Sequence, residues 1–306
     1  YITDTILLEL FGNNKEAVKK TFFNGYKLKE KFNTQRKTEA YFLSKPEFDN
    51  TVKLGLYELI NNVILFEVDD SGGQQFHFRI GMQETLSFKN LDKHAQQELS
   101  KLYINYFYSR QDDLWEKEAM KKLPGLKRNT AMMVCGEDLG MVPHCVPDVM
   151  AQLGILSLEI QRMPKKTGIE FFHPKDAPYL SVVSPSTHDM STVRAWWEED
   201  HYKTKQFYNQ LMEHGGEPPE ACEPWINKEI ILQHLYSPAM WAVFQLQDLL
   251  GMNAEIRRAD PLEERINNPA EAEHYWNYRI HLNLEDLLKE HEFNEELKNY
   301  IEKSGR

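Results

Sequence analysis

The stretch YLSVVSPSTHD, from Tyr179 to Asp189, is a short apolar run that ends in polar and charged residues. Three other runs share this pattern, and they are Met132–Cys135, Leu156–Ile160 and Trp241–Gln245. Candidate helices lie between the runs, for example at residues 145–153 and 191–199. Alternation of short strands with helices is typical of a parallel sheet. The sequence therefore predicts an α/β fold for the second part of the chain.

Polar side chains follow each of the four predicted strands. In a parallel (β/α)8 barrel the carboxyl ends of the strands form the face that carries the active site. We therefore expect these side chains to lie at one edge of the sheet. The candidate site residues at the four strand ends are Glu137, Arg162, His188, Asp189, Gln247 and Asp248.

Glu137 and Asp189 are the candidate pair of carboxylates. Cleavage of a glycosidic bond with retention uses one carboxyl group as acid and base and another as nucleophile. Burial of Glu137 at the end of an apolar strand would favour the protonated form that a general acid needs. His188 and Asp189 could instead bind a divalent ion. No third ligand follows at a suitable spacing, so we predict neither a metal nor a cofactor.

Composition narrows the classes of partner. The chain has 36 Lys and Arg against 47 Asp and Glu, which gives a net charge of −11. This charge argues against binding to nucleic acid or to anionic membranes, since both need clustered basic residues. No apolar run approaches the roughly 20 residues needed to span a bilayer. Three cysteines without metal-finger spacing favour a reducing, cytoplasmic setting.

The spacing of apolar residues along the chain changes near residue 130. Residues 1–125 show mostly helical spacing of apolar side chains, including an amphipathic stretch at residues 91–120. Within them, residues 63–68 could instead form a short strand that ends in the turn sequence DDSGG. We predict a mainly helical region at residues 1–125 and an α/β region at residues 126–306.

Five ordered segments resemble one enzyme family. Cys135–Pro143, followed by Leu153-Gly154-Ile155, resembles the acid/base segment of glycoside hydrolase family 77, the 4-α-glucanotransferases or amylomaltases. Ser186–Asp189, followed by Thr192 and Trp196, resembles the Thr-His-Asp motif of that family. Three later segments are similar in the same order, namely Gln247–Gly251, Arg265–Pro269 and Tyr275–Arg279.

The resemblance implies roles for individual residues. Glu137 would be the general acid and base, and Asp189 would stabilise the transition state while His188 binds the sugar. Trp196 and Trp197, which follow Asp189 closely, could stack on glucose rings. Arg162 could bind sugar hydroxyls, although a salt bridge to Glu159 or Asp138 is an equal alternative. Gln247 and Asp248 would contact substrate, which would be maltose, malto-oligosaccharides and other α-1,4-glucans.

The segments at Leu156–Lys165 and Trp196–Asp200 look like the large type of the family. In that type a long, mainly helical insertion separates the nucleophile segment from the acid/base segment. The resemblance implies that residues 1–125 are this insertion. It also implies that residues 126–306 are the second half, strands 5–8, of a (β/α)8 barrel.

The nucleophile of the family is an Asp in a motif like Arg-x-Asp-His, and residues 1–130 do not contain that motif. We therefore expect the chain to be the C-terminal part of an enzyme, with the N-terminal half of that enzyme as its partner. Open sheet edges predict self-association of the chain alone. The chain alone is expected to be inactive, so a non-catalytic glucan-binding or scaffold role is one alternative. A metal-dependent barrel hydrolase that uses Glu137, His188 and Asp189 is the other.

Overall fold

The computed structural model describes residues 2–45, 50–140, 142–166 and 168–306. The chain divides into two units, Tyr1–Gln111 and Asp112–Arg306. The boundary predicted at residue 125 falls inside the helix Gln111–Arg128. That helix belongs with the second unit, because the carboxylate of Asp112 accepts a hydrogen bond from the Cys145 amide at 3.0 Å.

Helices dominate the first unit. They are Asp4–Phe11 (α1), Lys15–Phe22 (α2), Gln35–Leu43 (α3), Asn50–Asn61 (α4), Leu86–Lys89 (α5) and Lys93–Asn105 (α6). Two antiparallel hairpins accompany them, Phe23–Asn24 (β1) with Lys27–Leu28 (β2) and Leu65–Glu67 (β3) with Phe76–Phe78 (β4). The alternative of a strand within residues 63–68 is therefore the one that forms.

Amphipathic spacing explains the core of the first unit. In α1, Ile6, Leu7 and Phe11 are buried, while Leu8 is exposed. The hydroxyl of Thr3 accepts the amide hydrogen of Ile6 at 3.3 Å and caps the start of the helix. Aromatic side chains complete this core, with the Phe22 and Phe32 ring centroids 4.8 Å apart.

The second unit contains a parallel sheet. Ser157–Ile160 (β5) pairs with Ser181–Ser184 (β6) in the register Ser157 to Ser181, and β6 pairs with Trp241–Ala242 (β7). The run predicted at residues 132–135 contributes one parallel bridge, between Cys135 and Leu156. Three of the four predicted runs thus form parallel strands, each shorter than its apolar run, and the fourth contributes only this bridge.

Helices precede, connect and follow the strands of the second unit along the chain. They are Gln111–Arg128 (α7), Cys145–Leu153 (α8), Val193–Glu199 (α9), His201–Gln210 (α10), Pro224–Leu235 (α11), Leu246–Leu250 (α12), Leu284–Leu287 (α13) and His291–Lys303 (α14). Only a 3₁₀ turn, Pro174–Asp176, is formed between β5 and β6 in the described part of that crossover. No helix in the described ranges is both long and apolar enough to cross a bilayer.

Neighbouring leucines of α1 test the core assignment. Leu7 is 0% exposed and Leu8 is 57% exposed. We expect Leu7→Ala to lower the free energy of unfolding by about 2–5 kcal/mol, because it leaves a cavity. Leu8→Ala should change it by less than about 0.5 kcal/mol. Urea unfolding followed by circular dichroism measures both, and equal effects of the two variants would contradict this packing.

Candidate active site

The carboxyl ends of the three parallel strands, and of the bridged segment at Cys135, lie at one edge of the sheet. Glu137 follows the bridge at Cys135, and Arg162 follows β5. His188 and Asp189 follow β6, and α12, which contains Gln247 and Asp248, follows β7. Adjacent strands lie about 4.8 Å apart, so the Glu137 segment and the loop after β6 leave the sheet about 10 Å from each other. The carboxyl edge predicted from the sequence is therefore formed.

Glu137 is exposed. Its Oε1 accepts a hydrogen bond from the amide of Leu139 at 2.7 Å. The expectation that this side chain is buried was wrong, because the chain leaves the sheet at Gly136 and the next side chain, Asp138, turns inward instead. Exposure leaves the Glu137 carboxyl group accessible to a ligand.

Asp138 fixes the segment that carries Glu137. Its side chain is buried, and Oδ1 accepts the amide hydrogen of Leu158 in β5 at 3.0 Å. Its Oδ2 lies 2.6 Å from Nζ of Lys165, which also lies 2.8 Å from Oε1 of Glu159. Lys165 thus makes the ion pairs that were one alternative for Arg162.

Arg162 holds the loop after β6. Its Nε donates to the carbonyl oxygen of Pro185 at 3.1 Å, and Nη2 donates to that of Ser191 at 2.5 Å. Burial lowers the pKa of Arg162 to about 10, which still leaves the guanidinium charged at neutral pH. The side chain that we predicted to bind sugar hydroxyls therefore uses Nε and Nη2 on loop carbonyls.

Asp248 holds the same loop near its two ends. The residue is fully buried, Oδ1 accepts the amide hydrogen of Val193 at 2.8 Å, and Oδ2 accepts the hydroxyl hydrogen of Ser186. Burial raises the pKa of Asp248, while these hydrogen bonds oppose the shift. Gln247 is also buried and donates to the carbonyl oxygen of Glu264 at 3.1 Å. Both side chains lie behind the loop and not on its exposed surface.

Ser186 and Gln245 were missed as functional residues. Gln245 Nε2 donates to the Ser186 hydroxyl at 2.6 Å, and that hydroxyl donates in turn to Asp248. Both residues lie at the ends of predicted strands, and that position is the sequence feature that could have identified them. Their partners depend on which strands are neighbours, and a pattern within one strand does not give that information.

His188, Asp189 and Trp276 form an exposed group that the buried Asn267 supports. Asp189 Oδ1 accepts a hydrogen bond from Asn267 Nδ2 at 2.7 Å, and Oδ2 lies 3.2 Å from His188 Nε2. The His188 and Trp276 ring centroids are 5.2 Å apart at an interplanar angle of 52°. The side chains of His188 and Asp189 are 55% and 53% exposed, so a ligand can reach both. Asn267 lies in one of the five family-like segments, but nothing in the sequence set it apart from Asn268.

The two tryptophans of α9 differ in accessibility. Trp196 is partly buried, with its ring centroid 5.2 Å from that of Phe207 and the Arg162 guanidinium 5.1 Å from its own centroid. Trp197 is 1% exposed, and its indole N–H donates to the carbonyl oxygen of Pro219 at 2.9 Å. The expectation that Trp197 stacks on glucose was wrong because its ring lies in the core.

A buried ion pair anchors the start of α9. Arg194 is paired with Glu264, and both side chains are at most 5% exposed. The Thr192 hydroxyl donates to Oε2 of Glu264 at 3.1 Å. Among the residues whose placement is described, no three His, Cys, Asp or Glu side chains are grouped as a metal site would require.

Comparison with known proteins gives the class to which this chain belongs. Residues 22–284 match the family model described as 4-alpha-glucanotransferase, glycoside hydrolase family 77. This match covers most of the chain, so the chain belongs to glycoside hydrolase family 77.

Individual relatives agree with this assignment. The chain is 38% identical over 317 residues to 4-alpha-glucanotransferase DPE2 of Oryza sativa subsp. japonica, covering 100% of this chain and 33% of the relative. It is 30% identical over 169 residues to the 4-alpha-glucanotransferase of Chlamydia muridarum, covering 54% and 31%. Among solved structures, amylomaltase from Streptococcus agalactiae in complex with acarbose is 18% identical with a TM-score of 0.46, covering 61% and 35%. The chain thus spans about a third of the length of these relatives.

Substitutions of Asp248 test its position behind the loop. Asp248→Ala leaves the Ser186 hydroxyl and the Val193 amide without their acceptor, so we expect it to lower the free energy of unfolding by about 2–4 kcal/mol. Asp248→Asn keeps an acceptor oxygen and should cost less than half as much. Urea unfolding followed by tryptophan fluorescence compares the two. Equal losses, or losses below about 0.5 kcal/mol, would contradict the assignment.

The buried His234 of α11 should make the free energy of unfolding depend on pH. It is fully buried with Nδ1 2.7 Å from the carbonyl oxygen of Ile230, and burial lowers its pKa to about 4 from 6.5. Between these values the unfolded chain binds a proton that the folded chain does not, so stability falls as the pH falls from 6.5 to 4. The loss from this group should reach roughly 3 kcal/mol at pH 4. Unfolding of wild type and His234→Leu across this range should show a shallower dependence in the variant, and parallel curves would refute the prediction.

Proposed function

We propose that this protein supplies the acid/base and the transition-state stabiliser of a retaining 4-α-glucanotransferase. One observation carries the proposal. In a member of glycoside hydrolase family 77, the Glu137 segment and the His188–Asp189 loop leave one edge of a parallel sheet with all three side chains exposed. An accessible acid, carboxylate and imidazole at one edge suit a glycosidic bond that lies across it.

The chemistry proceeds in two displacements. A carboxylate nucleophile attacks C1 of an α-1,4-linked glucose, while Glu137 donates its proton to the departing O4 of the leaving sugar. Glu137 then takes the proton from the 4-hydroxyl group of an acceptor sugar. That oxygen bonds to C1 and displaces the nucleophile, so one glycosidic bond breaks and another forms.

The nucleophile is proposed to lie on another segment of a longer polypeptide. Residues 1–130 lack the Arg-x-Asp-His arrangement expected for it, and the chain spans 33% of the rice relative. The chain alone would then bind glucan without turnover. This is the glucan-binding form of the non-catalytic alternative.

Asp189 and His188 are proposed to hold the distorted sugar. The hydrogen bond from Asn267 fixes Asp189 Oδ1, and Oδ2 faces His188. Trp276, 56% exposed and beside His188, is the aromatic face that we assign to a glucose ring. Arg162 and Asp248 act through the loop that carries His188 and Asp189, whereas Gln247 holds the carbonyl oxygen of Glu264, and Trp196 packs beneath Arg162.

The finer architecture belongs to the same proposal. We assign the sheet to strands 5–8 of a (β/α)8 barrel and residues 1–125 to an insertion within it. The segment at residues 134–136 and strand β7 form the two outer edges of the described sheet. Several apolar side chains near these edges are exposed in this chain and would be covered in a complete barrel. They are Met132, Met133, Trp241 and Val243. The N-terminal half of the enzyme would cover them, and self-association would replace it in the isolated chain.

Maltose, malto-oligosaccharides and other α-1,4-glucans are the proposed substrates, in line with the name of the family. The cytoplasm is the proposed location, since Cys135, Cys145 and Cys222 are all free thiols.

Glu137→Gln tests the acid/base role in an enzyme that joins this chain to the proposed N-terminal half. Glutamine cannot donate the proton, so transfer from maltotriose should fall by roughly 10²- to 10⁴-fold. The exposed Glu255 serves as a matched control, and Glu255→Gln should leave the rate unchanged. Chromatography of the oligosaccharide products measures both rates, and normal transfer by Glu137→Gln would refute the proposed function.

A further inference from the structure

The first unit contains a cleft of about 470 Å³ beside the last turns of α4. Its volume lies within the range typical of small-molecule sites. One side is formed by α4, and the other by the turn from Arg79 to Leu86 that follows the β3–β4 hairpin. The residues that matter for its chemistry are Tyr57, Glu58, Asn61, Arg79, Gly81 and Glu84.

The cleft gathers polar side chains that have no side-chain partner in the described part of the first unit. Within the described ranges, no side chain forms a hydrogen bond or ion pair with the side chains of Arg79, Glu84 or Glu58. The amide of Asn61 lies at the same rim. A guanidinium, two carboxylates and an amide thus present both donors and acceptors to whatever enters.

Gly81 keeps the floor of the cleft open. A β-carbon at this position would lie 3.4 Å from Oε2 of Glu84 and 3.9 Å from Nε of Arg79. The guanidinium and the carboxylate therefore flank the same empty space without pairing directly. A hydroxyl group in that space could accept a hydrogen bond from Arg79 and donate one to Glu84, with each oxygen–partner distance about 2.8 Å.

Tyr57 provides a fixed apolar wall. Its hydroxyl donates to the carboxylate of Glu39, which lies 3.3 Å from Nζ of Lys53. These contacts hold the ring in place, and Leu54 and Leu86 extend the apolar surface beside it. The C–H face of a sugar ring packs favourably on such a surface because both are apolar.

The charges define the ligand class. Two carboxylates against one guanidinium disfavour an anion such as a phosphate, and the guanidinium disfavours a bare cation. A neutral molecule with many hydroxyl groups uses the donors and the acceptors together. Sugars meet this requirement, and the choice of an α-glucan among them rests on the proposed function of the second unit.

We propose that this cleft is an accessory carbohydrate-binding site that takes a short segment of α-1,4-glucan. It lies wholly within the first unit, and its residues are separate from Glu137, His188 and Asp189. The site would retain a glucan chain without taking part in bond cleavage.

Titration of the whole chain with maltoheptaose, followed by ¹⁵N–¹H NMR, tests the proposal. We expect shifts of amides in residues 54–61 and 79–86. Gly81→Leu should weaken this binding at least ten-fold by filling the floor, and its φ of −83° is ordinary for a residue with a side chain. Arg79→Ala combined with Glu84→Gln should weaken binding similarly without adding bulk, which covers the case that Gly81→Leu fails to fold.

Two controls make the result specific. Lys89→Ala removes an exposed cation outside the cleft and should leave the affinity unchanged. Trp276→Ala affects the candidate active site and should leave the shifts in residues 54–86 intact. Shifts confined to the surroundings of His188 and Trp276, or affinity unaltered by both cleft variants, would overturn the proposal. Normal transfer by Glu137→Gln would refute the proposed function and leave this binding result standing.

Discussion

A buried carboxylate fixes the loop on which the candidate site depends. Asp248 accepts hydrogen bonds from the hydroxyl of Ser186 and from the amide of Val193, which lie at the two ends of that loop. Arg162 donates to the carbonyl oxygens of Pro185 and Ser191 at the same two ends. Because these groups come from neighbouring strand ends, the path of the loop follows from the order of strands in the sheet.

In this arrangement, the residues that hold the loop in position differ from the residues that can react with a substrate. A buried charge is costly unless it is hydrogen-bonded, and both the fully buried Asp248 and the partly buried Arg162 bond to the loop. The hydrogen bonds of the loop ends are thus satisfied within the protein, while His188 and Asp189 face outward. Asp138 has the corresponding role for Glu137, since its buried carboxylate ties that segment to β5. Each exposed carboxylate thus has a buried acidic partner that fixes its backbone.

The sequence predicted the strands of the parallel sheet and the polar residues at their carboxyl ends, because apolar runs and their polar ends are local patterns. The sequence did not show which of these polar side chains are exposed at the edge and which are buried behind the loop. Asp248 and Gln247 end a strand as Asp189 does, yet they turn behind the loop, since the side that a residue faces depends on its neighbours in space. Burial was misjudged for the same reason at Glu137, which is exposed, and at Trp197, which lies in the core.

Hydrogen exchange at the amide of Val193 tests the loop restraint most directly, because that N–H donates to Asp248 at 2.8 Å. We expect exchange as slow as at the paired amides of β6 in the wild type, and fast exchange in the Asp248→Ala variant. Fast exchange in the wild type, at the rate of an exposed loop amide, would contradict the claim that Asp248 fixes the loop that presents His188 and Asp189.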